Sequence, residues 1–203
     1  LAKVQGDLGL IPADAAAFLH RASHEIQIDP SALAVETATN GVPIPALVAA
    51  MRKALNAPDH AQYLHWGATS QDIMDTALAL RMKRVLELWE TRLAAMLSAL
   101  ADLANTHADL PMAARTYGQV ATPTSFGAVV AGWGWPLISH RDELASVRNA
   151  VLRVSLSGAA GTLSAMGTKG PEVRAGLAKA LGLADPGHSW HSDRSGISRL
   201  AGW

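Results

Sequence analysis

The sequence contains no cysteine, which excludes a disulfide framework and any thiolate metal site. Aromatic residues are only 5% of it, most of them tryptophan, and alternating β-branched runs are nearly absent, so the usual signature of a sheet is missing. No apolar stretch approaches the roughly 18 residues that a membrane span needs. The first residues lack the basic, apolar and small-residue succession of a secretory signal. Neither charge sign dominates, with 17 basic against 17 acidic side chains, so no broad field recruits nucleic acid or an anionic membrane. No GxGxxG or Walker pattern occurs, and the histidines show no i, i+4 pair with an adjacent acid of the zinc-protease kind. His20 and His24 are four apart but have no third ligand in view, and read as partly buried or surface side chains. The sequence thus implies neither a metal site nor a cofactor.

What is present is an alanine-rich chain that is 49% hydrophobic, ample for a buried core and suited to helices. The expected class is all-α, in a cytoplasmic protein whose partner is a small molecule or another protein. Leu1 to Ile11 is apolar at helical spacing with no capping residue ahead of it, as if the chain started inside a helix, until Pro12 interrupts. A second short helix is expected from Pro12 to near Ile28, with Ser31 as cap of the next segment. The run Asn40 to Pro45 reads as a loop, and Pro45 suits the first turn of a helix ending at Leu55. From Gln71 to His107 there is neither proline nor glycine. Met82, Leu86, Trp89, Leu93, Met96, Leu100 and Leu103 recur there at alternating spacings of four and three, a heptad-like seam. Such a helix would be roughly 55 Å long, too long for a compact domain to cover, so other subunits are expected against it. A polar loop is expected from Leu110 to Pro123, then a second long helix from Thr124 to about Leu156, kinked near Gly132, Gly134 and Pro136. Ser157 to Thr162 is a small-residue turn, Pro171 to Leu183 a short helix, and Ile197 to Trp203 the beginning of another. The domain division read from this pattern is 1–66, helical, and 67–203, the long-helix bundle.

Three polar segments stand at the ends of these helices. His65-Trp-Gly-Ala-Thr-Ser-Gln-Asp72 puts hydroxyls and unpaired N–H groups at a helix start, where the dipole favours a carboxylate. Its plain reading is a cap at Thr69 or Ser70 with Gly67 as a turn residue. Arg115-Thr-Tyr-Gly-Gln-Val-Ala-Thr-Pro-Thr124 holds a cation, a phenol and an amide within five residues, and reads equally as a solvated connection capped by Thr124 or Ser125. Trp190-His-Ser-Asp-Arg194 offers an imidazole beside a guanidinium, or two surface groups.

Taken in order, these segments resemble the fumarase/aspartase superfamily. The pattern His-x-Gly-x-Thr-Ser-x-Asp at 65 to 72 is similar to its first signature, and Arg-Thr-x-x-Gln-x-Ala-x-Pro-Thr at 115 to 124 to its second. Ser157 to Thr162, and Trp190-His191 with Arg194, resemble the sequels found in its cycloisomerase branch. Tyr117 stands where lyases of the family carry a histidine, and cycloisomerases also lack that histidine. The resemblance implies a homotetramer with a shared central bundle and active sites built from several subunits. It implies closure of 3-carboxy-cis,cis-muconate, or another di- or tricarboxylate, to a lactone without a cofactor. On this basis Thr69 and Ser70 would hold one substrate carboxylate, Arg115, Thr116 and Gln119 would contact another, and His65 and Tyr117 would flank the reacting atoms. Arg194 would be a further anion contact. The family's serine base lies on a Gly-Ser-Ser-x-Met-Pro loop that has no match here. The chain is therefore expected to lack both ends of the family pattern and to show no turnover by itself. Asp193-Arg194-Ser195-Gly196 departs from the expected Gln-Arg-Asp-Arg and leaves the substrate open. Two other readings stand beside this one: a fumarate-releasing lyase of the same family, and a helical scaffold without catalysis.

Overall fold

The computed structural model describes all 203 residues. In chain order the helices are α1 Ala2–Asp7, α2 Ala13–Ala22, α3 Ala34–Asn40, α4 Ile44–Leu55, α5 Pro58–Ala61 and α6 Ser70–Thr106. After the strands β1 Pro111–Thr116 and β2 Gln119–Ser125 come α7 Phe126–Val151, α8 Gly170–Leu181 and α9 Ser195–Gly202. The expected helical class holds, with one small antiparallel hairpin added. No helix is long and apolar enough to cross a membrane. The chain forms two compact units, Leu1–Arg81 with Leu152–Ser195 and Met82–Val151 with Gly196–Trp203.

In the first unit α1 stops at Asp7, well before Pro12. Gly9 takes the left-handed conformation, its N–H bonds the Gly6 carbonyl and that of Leu10 bonds Gln5, a Schellman ending that the apolar spacing did not reveal. α2 likewise ends at Ala22, six residues short of the expected Ile28. The cap of the next turn is not Ser31 but Asp29, whose carboxylate accepts from the Ser31 N–H at 2.9 Å. Pro45 does sit in the first turn of α4. Leu19, Ala22, Leu55 and Ala61 form one apolar cluster. Val154, Leu156, Leu163, Met166, Val173 and Leu177 form another, against which Val4 and Leu8 pack. Each large side chain so buried contributes about 1.5–3 kcal/mol.

The long α6, 37 residues, has Ser70 to Arg81 in the first unit and the rest in the second, and carries the expected seam there. Leu86 and Leu93 are buried, while Trp89, Met96 and Leu103, on the interleaved heptad position, stay exposed. α7 starts two residues later and ends five residues earlier than the expected 124–156, and its cap is Ser125, whose Oγ accepts from the Ala128 N–H at 3.1 Å. The expected polar loop is instead a hairpin. Thr116 pairs with Gln119 across Tyr117-Gly118, both at positive φ, which gives a two-residue turn of the mirror-image type that suits strand twist. The register shifts between Ala113 and Arg115, where two residues of β2, Ala121 and Thr122, face one of β1, a bulge that bends β2. At the far end of the chain Trp203 donates its indole N–H to the His140 carbonyl at 2.8 Å and stacks on Trp89 at 5.7 Å between ring centroids.

Gly127 marks the tightest joint in this unit: a Cβ there would overlap the Ala104 carbonyl oxygen and the Ala108 backbone. Backbone cannot give way as a flexible side chain does. Gly127→Ala is therefore expected to destabilise the unit by about 2 kcal/mol, seen as a lower urea midpoint with helical content retained in the native baseline.

Candidate functional site

The first two turns of α6 bury a polar stripe. Asp72, Asp75 and Thr76, at i, i+3 and i+4, share one helical face, and are 0%, 4% and 8% exposed. Asp72 is the focus. One carboxylate oxygen accepts from the backbone N–H groups of Thr69 and Gly158, each at 3.0 Å. The other accepts from the Ser157 N–H at 2.8 Å and faces His191 Nε2 at 2.7 Å, with the Ser155 hydroxyl further out at 3.4 Å. Donors on several sides thus meet the lone pairs of both carboxylate oxygens. Gly158 can offer its N–H there because it sits at φ +72°, where a side chain would be strained. Thr76 and Ser155 bond reciprocally: the Thr76 hydroxyl donates to the Ser155 carbonyl at 3.0 Å and accepts the Ser155 N–H at 2.9 Å.

The segment after α8 is fastened to the same face. Arg174, buried, bonds Asp185 at 2.6 Å, and Asp185 also accepts the Gly187 N–H, which shapes the loop. Trp190 is buried and donates its indole N–H to the Val154 carbonyl at 2.9 Å. Arg194 makes a two-pronged bond to Asp75 at 2.9 and 3.0 Å and lies over the Trp190 ring, 5.4 Å from its centroid. That pairing raises the already high pKa of the guanidinium.

Of the residues singled out in the sequence, His65, Thr69, Ser70 and Arg194 belong to this unit. Thr69 immediately precedes α6 and Ser70 opens it. The first backbone bond spanning that start is Ile73 N–H to the Thr69 carbonyl at 3.4 Å, so the N–H groups of Ser70 to Asp72 precede the ladder and point out of the helix end. His65 is held at φ +66° in a loop anchored by Gln5, fully buried, whose amide donates to the Trp66 carbonyl at 2.8 Å. Burial lowers the His65 pKa below the ordinary imidazole value, with Asp72 opposing and Arg52 reinforcing the shift. His65 is therefore neutral at pH 7. It also lines an apolar cavity of about 220 Å³ with Leu47, Val48, Met51 and Ile73. Arg115, Thr116, Tyr117 and Gln119 belong to the other unit, on the hairpin, where Tyr117 is wholly exposed at the tip.

Asp75, Thr76 and Ser155 were not singled out in the sequence, and Asp72, Ser157 and His191 stood there only within the quoted segments, with no role assigned to them. The i, i+3, i+4 run of polar residues directly after a cap was the available signal.

Comparison with known proteins places this geometry in context. The Lyase family model matches residues 3–197. The chain is 40% identical to 3-carboxy-cis,cis-muconate cycloisomerase of Pseudomonas aeruginosa over 99% of its own length and 44% of that protein. It superposes with TM-score 0.93 on the crystal structure of 3-carboxy-cis,cis-muconate lactonizing enzyme from Pseudomonas putida, at 36% identity, covering 99% of this chain and 47% of that one. A fumarate lyase structure from Mesorhizobium sp. BNC1 gives TM-score 0.94 at 39% identity, with 99% and 47% covered. The chain spans about half the length of the relatives it matches.

Two outcomes follow from the geometry. Asp72→Asn turns one acceptor into a donor facing backbone N–H groups, and is expected to cost about 3 kcal/mol in chemical denaturation. For His65, the unfolded imidazole binds a proton that the folded one resists. Its stabilising share is full above the unfolded value of about 6.5 and is lost as pH falls from there towards the lower folded value. His65→Asn should flatten the stability curve in that window, measured by thermal melts across it, and an unchanged slope would count against this assignment.

Proposed function

Because the chain belongs to the fumarase/aspartase superfamily, we propose that the full-length protein closes 3-carboxy-cis,cis-muconate or a close analogue to its lactone. The observation that carries this reading is the open start of α6. There the buried Asp72 carboxylate holds the N–H of Thr69, the residue before the helix, Ser70 opens the helix, and neutral His65 stands on the loop leading into it. A helix start of this kind takes a substrate carboxylate. Tyr117, in place of the histidine expected of a lyase, favours ring closure over fumarate release.

In the forward step a carboxylate oxygen of the substrate bonds to the far carbon of a conjugated double bond. The displaced π pair is delocalised onto the carbon next to another carboxylate and into that carboxylate, so charge builds there until a proton drawn from water is added at that carbon. Donors aimed at it lower the barrier. Thr69 and Ser70 are assigned to that carboxylate, and Arg115, Thr116 and Gln119 to a second one. His65 and Tyr117 flank the reacting atoms. Arg194 is the lesser anion contact, since Asp75 already balances its charge. A homotetramer with shared active sites belongs to this reading and is supported by the uncovered stripe of Trp89, Met96 and Leu103. A fumarate-releasing reaction is the second reading, supported by the likeness to the Mesorhizobium fumarate lyase.

Purified full-length protein mixed with 3-carboxy-cis,cis-muconate is expected to bleach the conjugated-diene absorbance without releasing fumarate. Fumarate formed from a succinyl substrate, with no lactone, would replace this reading by the second. Ser70→Ala should lower kcat/KM about 100-fold while the assembly keeps its wild-type elution volume in gel filtration.

A further inference from the structure

His191 has no role in the assignments above, yet its ring is the best-fixed imidazole in the first unit. Asp72 accepts three backbone N–H groups, so it is the acceptor towards His191 as well, and Nε2 must carry the proton. That leaves Nδ1 as the free nitrogen. It has no partner in the chain and is not among the buried unpaired atoms, on a side chain that is 20% exposed. The same carboxylate that holds Nε2 also holds the Thr69 N–H. The imidazole is therefore bonded to a residue in the first turn of α6, the helix start to which a substrate carboxylate has been assigned.

We infer that His191 is a further substrate-contacting residue, which takes up a proton on Nδ1 and donates it as a hydrogen bond to a bound carboxylate. The inference rests on the carboxylate-binding reading of the site and adds to it a coupled proton. With a carboxylate on either side, the imidazolium is stabilised by two anions, one resident and one arriving. Binding then draws a proton from solvent, and affinity falls as pH rises. The charged groups of the neighbouring segments are Asp75, already paired with Arg194, and Asp193, two residues on, which Arg153 and His188 influence. His65 is the other imidazole near Asp72.

The test is calorimetry of succinate binding to the full-length protein in buffers of different ionisation enthalpy, which counts protons taken up. His191→Gln is the informative variant. Its amide nitrogen can keep the bond to Asp72 while Nδ1 is lost, and His65 is untouched. Wild type is expected to take up part of a proton near neutral pH. His191→Gln should take up none and bind about tenfold more weakly, with an unchanged melting temperature. Equal affinity and equal proton uptake in the variant, or no succinate binding by wild type, overturns the inference. Lactonisation assays run in parallel separate the two claims. Proton-linked succinate binding without turnover removes the proposed reaction and leaves His191 in place. Turnover with identical pH profiles in wild type and His191→Gln removes His191 and leaves the reaction.

Discussion

A carboxylate with no exposure to solvent is the constraint around which the first unit is arranged. Removing a charge from water costs several kcal/mol even after the protein relaxes, and Asp72 survives only because donors surround it. Those donors come from three parts of the chain: the residue before α6, the turn at Ser157-Gly158, and the segment after Trp190. None of the three can move without exposing a lone pair that has nowhere else to bond. The requirement that makes the carboxylate affordable is therefore the one that fixes the site.

The neighbouring polar residues extend this along the helix. Asp75 takes the Arg194 fork, and Thr76 closes a two-way bond with Ser155. Each turn of α6 near its start thus grips a different residue of a distant segment. Apolar packing alone would hold these segments with little preference for register, whereas a fork or a reciprocal pair works at one spacing only. The apolar cluster around Val154, Leu156 and Val173 supplies the bulk of the burial, and the polar stripe sets where the pieces sit.

Much of the helical fold was legible because its signal is local. The long α6 showed in an unbroken heptad pattern, α4 in its loop and first-turn proline, and the α7 cap in Ser125. What escaped depends on conformation or on distance. The hairpin was hidden because β1 and β2 are mostly exposed and lack alternating apolar residues, so the only marker was a Tyr-Gly pair whose left-handed backbone no composition rule flags. The early end of α1 likewise rests on Gly9 at positive φ. In the site, Thr69 and Ser70 could be read from helix-start chemistry. His191 stood out as an imidazole beside a guanidinium, but its bond to Asp72, 119 positions away, could not be read.

The pairing of Arg194 with Asp75 bears on where the attraction for an anion resides. A guanidinium bound through two prongs to a buried carboxylate contributes little net field beyond the pair. It still has N–H groups to offer, and 41% of its side chain is exposed, but the long-range pull on a carboxylate has to come from elsewhere. The helix start supplies about half a unit charge, and its effect is undiluted only where no nearby anion cancels it. Asp72 is such an anion, spent on backbone donors and on His191. Any added positive charge on that imidazole offsets Asp72 and leaves the α6 dipole free to act on a ligand. The buried acid thus orders the site at a cost to anion binding, and the imidazole bonded to it is the group placed to reverse that cost.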